Sequence, residues 1–156
     1  MRNTLRTLAL ISLLACHAAQ ASEPNGKRTP PFANAIGVVA AIIHSANAYR
    51  AECTPWLSAK ELDDTVGQWF KRNQPIVDQV IEKGKNGNWQ SQGRTSEQVW
   101  DEMWKANAAQ ARMGAAEAVK PVPKAMCVDA LRPFSDGSLE LANFPVHLQS
   151  IGVKLP

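Results

Sequence analysis

The fold is decided by the stretch Ser58–Lys85, SAKELDDTVGQWFKRNQPIVDQVIEKGK. Its first four residues, Ser58-Ala59-Lys60-Glu61, form a capping box, and Leu57 and Leu62 flank the box at the positions of a hydrophobic staple. Glu61, Asp63 and Asp64 crowd the positive end of the helix dipole, while Lys83 and Lys85 lie at its negative end. Between them Leu62, Val66, Trp69, Phe70, Ile76 or Val77, and Val80 recur at helical spacing and define an inward face. Pro75 has no N–H to give to the helix, so a bend is expected there. Gly84-Lys85-Asn86-Gly87 ends the element.

The same period continues on both sides. Upstream, a helix begins near Pro31 and runs to about Cys53, where Thr54-Pro55 stops it. Ile36, Val39, Ala40, Ile43 and Asn47 share one of its faces, and Ile42, Ala46, Tyr49 and Cys53 follow a second, which predicts a helix buried on most sides. Downstream, the polar loop Asn88 to Arg94 carries Trp89, and Thr95-Ser96-Glu97-Gln98 offers a second capping box. After it Val99, Met103, Ala106, Met113 and Ala116 make one stripe, and Trp100, Trp104, Ala108, Ala111, Ala115 and Ala118 a neighbouring one. Close packing through alanines is expected. Lys120-Pro121-Val122-Pro123 breaks that helix, and a short one from Lys124 to Arg132 precedes Pro133.

The remainder, with a turn at Asp136-Gly137 and weak alternation at Leu139 and Leu141, reads as an ordered extended tail with at most a short strand pair or helical turn. The expectation is all-α: an antiparallel bundle of about four helices with an irregular C-terminal tail. Residues 1–21 read as a signal peptide, 22–31 as a flexible leader, 32–134 as the bundle and 135–156 as the extended tail packed on it.

The N-terminus carries Arg2 and Arg6, an apolar run from Leu8 to Ala15, then Ala19-Gln20-Ala21 before Ser22, the three-part layout of a secretory signal. Cleavage after Ala21 is the favoured reading. Leu13-Leu14-Ala15-Cys16 is the competing one, a lipoprotein box that would place a lipid anchor on Cys16. The apolar stretch Phe32 to Ile43 is too short to span a bilayer, and no transmembrane span is expected after the signal. With Cys16 removed, two of the three cysteines remain, Cys53 and Cys127. In an oxidising compartment they are expected to pair. Closing a loop of about 75 residues would stabilise the fold by roughly 4 kcal/mol in the chain-entropy model.

Charge narrows the function. The chain has 17 Lys and Arg against 14 Asp and Glu, for a net charge of +3. Without Arg2 and Arg6 the excess falls to +1. So small an imbalance sets up no long-range field, which argues against a nucleic-acid partner. Neither a P-loop nor a dinucleotide fingerprint occurs, so no nucleotide cofactor is expected. His44 and His147 stand apart from each other, and no metal site is expected. There is no G-x-S-x-G elbow and no Glu-x-x-His pair. Glu61, Asp63, Asp64, Asp101 and Glu102 could supply paired carboxylates across facing helices. All five also occupy the first turns of their helices, where negative charge is favourable for local reasons. No catalytic residue is assigned.

Five tryptophans against one tyrosine are the compositional oddity. Trp69, Trp100 and Trp104 follow core stripes. Trp89 stands with Asn88, Gln90, Ser91 and Gln92, where no periodicity draws it inward. Asn88, Trp89, Gln90 and Gln92 are therefore the candidate partner-binding residues, with packing over the bundle end as the other role open to Trp89.

Two resemblances add to this. Cys53-Thr54-Pro55, Ser58, Glu61-Leu62, Val66, Trp69-Phe70 and Asn73-Gln74-Pro75, about a sixth of the chain, resemble the segment after the first helix in periplasmic immunity proteins of type VI secretion systems, the Tai-like group. That resemblance implies binding and blocking a toxic enzyme. Cys53 ending the first helix, Cys127 opening the last after Pro123-Lys124, and a lipidated Cys16 are similar to the pilotin lipoproteins of type II secretion, which implies an assembly factor. Both imply an exported protein that works by binding another protein in the cell envelope. The alternative from the enzyme class is a small periplasmic hydrolase using helix-start carboxylates, which would need two convergent acids in a concave, partly apolar site.

Overall fold

A computed structural model describes residues 31–89 and 93–155. The signal peptide, the Ala21 cleavage site, Cys16 and the leader up to Pro30 lie outside the described residues, as do Gln90 and Gln92. The described chain is all-α, five helices packed together with no strand among them.

Helix α1 (Pro31–Cys53) is the hub. Ile36, Val39, Ala40, Ala46 and Cys53 are inaccessible to solvent, and residues on both of its expected faces are buried, so it is enclosed on most sides. Phe32–Cys53 is 22 residues long and its most apolar 18-residue window has a mean hydropathy of 1.3, long and apolar enough to cross a membrane by length and composition. The apolar stretch Phe32 to Ile43 is too short by itself, and the ten helical residues after it supply the length. In the fold 56% of its most apolar window is buried against the other helices.

Beyond Cys53 the chain turns through backbone N–H groups of Trp56 and Leu57 that donate to the Cys53 carbonyl, both at 3.0 Å. The capping box then closes: Ser58 N–H donates to Glu61 Oε2 at 2.7 Å, and Glu61 N–H to Ser58 Oγ at 3.2 Å. Leu57 and Leu62 are both buried, as a staple requires. Helix α2 (Ala59–Leu62), a π turn (Asp63–Gly67) and helix α3 (Gln68–Lys85) follow without a break and count as one helical run. The irregular turn lies ahead of Pro75, through which α3 continues to Lys85. At the π turn the Thr65 hydroxyl donates to the carbonyls of Glu61 and Leu62, at 2.8 and 3.2 Å.

Helix α4 (Ser96–Val119) opens with the Thr95/Gln98 capping box. Of its two stripes, the one led by Trp100 faces the bundle. Trp100 and Ala115 are buried and Trp104, Ala108, Ala111 and Ala118 half-buried, whereas Ala106 and Met113 of the other stripe are exposed. Val99, Met103 and Ala116 of that stripe are half-buried at its border with the bundle. Gly84 of α3 makes room for it: a Cβ there would meet the Trp100 ring at 2.0 Å.

Helix α5 (Pro123–Ser135) starts on proline and runs past Pro133, burying Cys127, Ala130, Leu131 and Phe134. Cys53 and Cys127 are disulfide-bonded, their Cα atoms 5.6 Å apart, which ties α1 to α5.

The tail is more helical than its sequence reading. After a 3-10 turn (Leu141–Asn143) comes helix α6 (Pro145–Ile151), a two-turn element where an extended segment was expected. Pro145 begins it, and Gly152 ends it in the left-handed conformation at φ 78°. The Val153 N–H donates to the Leu148 carbonyl at 2.9 Å, the second bond of a glycine-terminated helix end. Leu141, Leu148, Ile151 and Val153 are all buried; within α6 the two buried residues, Leu148 and Ile151, are three apart, as on one face of a helix.

What fastens the tail is a polar node on α3. Asn73, almost wholly buried, donates to the Trp69 carbonyl at 2.9 Å and to Glu140 Oε2 at 2.7 Å, and its Oδ1 accepts the Leu141 N–H at 2.9 Å. Arg72 donates to Glu140 Oε1 at 2.6 Å and to the Phe134 carbonyl at 3.0 Å. The Trp69 indole N–H reaches the Leu139 carbonyl at 2.9 Å. Further on, Gln79 brackets Lys154, donating to its carbonyl at 3.1 Å and accepting its N–H at 3.0 Å.

Candidate functional site

Three places on the bundle bring chemically capable side chains together, and the first is the end that carries Trp89. Its indole N–H donates to the Gly84 carbonyl at 2.6 Å, and its backbone exchanges hydrogen bonds with the Ser96 hydroxyl, both at 3.2 Å. The ring stands 5.3 Å from Phe32 and 6.1 Å from Trp100, centroid to centroid, and is half-buried. Trp89 therefore packs over the bundle end. Asn88 beside it is exposed.

The second is an open groove of about 340 Å³ between the α2–π segment and α5. Leu57, Glu61, Asp64 and Thr65 form one wall; Val128, Leu131, Arg132 and Ser135 form the other. Val128 is 48% exposed, and Trp56, next to Leu57 in the chain, is 47% exposed. The π turn positions this wall, since Asp64 and Thr65 belong to it. Of the five candidate acids, Glu61 and Asp64 share the groove; Asp101 and Glu102, at the start of α4, do not line it. Glu61 is held below the usual carboxylate range, first by the hydrogen bonds it accepts from Ser58, with Lys124 adding a smaller pull. A carboxyl so held has no proton to give at neutral pH. Asp64 is bonded to Lys60, Glu102 to Arg94 and Arg132 to Asp129, and Lys71 stands 4.0 Å from Asp63. All of these are exposed pairs of the kind that contribute little to stability.

The third is His44 on α1. It is only 9% exposed, its ring 4.3 Å from that of Trp104 in an edge-on arrangement, and its Nε2 has no hydrogen-bond partner among the described residues. Burial, and then the nearby Arg112 charge, lower its pKa from 6.5 to about 4, so the ring is neutral at pH 7. Among the described residues no three His, Cys, Asp or Glu side chains gather in a group that could hold a metal ion.

Sequence reasoning missed the groove and the Asn73 node. The groove joins residues on either side of a disulfide that closes 74 positions of chain, and only Cys53 and Cys127 signalled that closeness. The node had one local sign, an asparagine on an otherwise apolar face at Val66, Trp69, Asn73 and Val77.

No family, curated protein or solved structure matches this chain. The two resemblances of the sequence are thus carried by their quoted residues alone. The Cys53–Cys127 bridge points to an extracytoplasmic protein, because disulfides form and persist in oxidising compartments.

Proposed function

We propose that this is an exported cell-envelope protein, periplasmic or secreted, which acts by binding another protein in an immunity, inhibitory or accessory role. The observation that carries the reading is the groove beside the disulfide. It is walled by Leu57, Val128 and Leu131, with the polar heads of Glu61, Asp64 and Arg132 at hand, and Trp56 stands exposed next to it. Exposed apolar groups rimmed by charge on a braced scaffold suit protein recognition, where a few aromatic and apolar anchors carry most of the energy.

A photo-crosslinking residue placed at Val128 tests this in intact cells, with one at Met113, exposed on the outer face of α4, as control. One discrete adduct from position 128 and none from 113 is expected, and Trp56→Ser should weaken it. Equal labelling from both positions, or none from either, refutes the reading.

A hydrolase is the second reading, favoured by the presence of Glu61 and Asp64 in one groove. It predicts turnover that Asp64→Asn abolishes while the adduct persists.

A further inference from the structure

Helix α4 lies along α1 in the most extensive helix–helix contact of the fold, but it is joined there by packing alone. Of its 24 residues only Trp100, Ala115 and Val119 are buried. Among the described residues no ion pair or hydrogen bond joins it to another helix; its bonds outside itself, those of Ser96, the cap and Glu102 with Arg94, all go to its N-terminal loop. The contrast with its neighbours is plain: α5 is covalently tied to α1, and the tail is clamped to α3 by Asn73, Arg72 and Gln79. Beside the small residues Ala111, Ala115 and Ala118, the contact contains an aromatic seam in which Trp89, Trp100, Trp104 and His44 follow one another at centroid distances of 6.1, 4.9 and 4.3 Å. His44 is the one ionisable member of that seam.

We propose that His44 is an acid-sensitive latch: when its ring is protonated, α4 separates from α1 while the disulfide keeps α1 and α5 together.

Three features of the site act in this direction. A buried imidazole whose Nε2 meets no acceptor has nothing to share a second proton with, so the charged ring must reach water. Arg112, on α4 itself, repels that charge. On α1 the only other charged residues are Arg50 and Glu52, further along the helix. From α3, α5 and α6, the other helices packed on α1, no ionisable group offsets Arg112, and His147 of α6 lies instead against Phe144. The buried ring takes up its proton near pH 4, whereas a ring released into water does so at about 6.5. Between these values the open form binds the proton and the closed form does not, so acid drives opening, and well above pH 6.5 the proton no longer favours it. The ratio of open to closed rises by up to about 100-fold as pH falls from 7 to 4, since each pH step in that window is close to tenfold.

Hydrogen exchange of the full exported chain tests the latch, with rates corrected for the intrinsic pH dependence of exchange. Between pH 7 and pH 4.5, α4 amides should lose on the order of tenfold or more of their protection while α3 amides keep theirs. His44→Leu, an apolar side chain that leaves no orphan acceptor, should abolish the difference. Arg112→Gln, a surface change on a side chain that is already exposed, should move α4 opening to lower pH, and it keeps the test decisive if the core variant folds poorly. Protection of α4 that does not change with pH, acid opening that persists in His44→Leu, or simultaneous loss of protection in α3 and α4 would each overturn the proposal.

Discussion

The tail after Ser135 and helix α4 reverse the usual relation between how clearly a segment announces itself and how firmly it is held. Helix α4 has a capping box, a long period and a clear stop, yet it buries three side chains in full. The tail has weak periodicity and short elements, yet it buries Leu141, Leu148, Ile151 and Val153 and is bonded to α3 at several points. Capping and propensity act within one turn of chain and decide whether a helix forms. Attachment depends on partners far away in sequence, which no local pattern records.

Changes that cut the long-range ties should therefore cost more than changes to local signals. The largest loss is expected for replacing Cys53 and Cys127 together by serine, about 4 kcal/mol by chain entropy for a loop of this size. Urea unfolding of the oxidised wild type beside the variant measures it. A loss of under about 1 kcal/mol would mean that the non-covalent clamps alone define the bundle.

Next comes Asn73→Ala. It leaves the Leu141 N–H and the inner oxygen of Glu140 without partners in a buried site, at a cost of about 3 kcal/mol. Exchange should rise across the whole tail, Leu148 and Ile151 included. A rise confined to Leu141 would show that the apolar contacts hold the tail unaided.

Gly84→Ala probes the α3–α4 contact. The added methyl falls on the Trp100 ring, and overpacking of this kind costs about 2 kcal/mol, read as a lower urea midpoint with a shift in indole fluorescence.

The smallest effect is expected for Thr95→Ala, about 1 kcal/mol, because only the cap of α4 is lost. Its exchange signature should stay within the first turns of α4. A tail that loosened along with it would show the two regions to be coupled and would end the contrast drawn between them.

Much of the architecture was legible because its causes are local. Ser58 and Glu61, Thr95 and Gln98, and the apolar faces of α1 and α3 each fixed an element within a few residues. The disulfide was legible because compartment chemistry leaves two thiols one sensible fate. Other features were hidden for different reasons. The end signals of α6, Pro145 and Gly152, stood in the sequence, but two turns of helix give too short a period to outweigh the alternation of Leu139 and Leu141. On α4, two adjacent stripes of similar polarity offered no local reason to choose the Trp100 side; the close approach to Gly84 chooses it. For Trp89 the polar neighbours in the chain left both recognition and packing over the bundle end open, and its surroundings are Phe32, Gly84 and Trp100. The groove depends on chain closure through Cys53 and Cys127 and on the π turn, and neither its shape nor its depth has a signature in residue order.

The stacking of Trp100 on Trp104, with ring planes 28° apart, reaches beyond cohesion. Two indoles held that close at a fixed skew couple their electronic transitions, so the native protein should carry an exciton couplet in its circular dichroism, separate from the helical bands. Displacement of either ring would extinguish that signal without any helix melting, which gives the molecule an intrinsic optical gauge of its own interior.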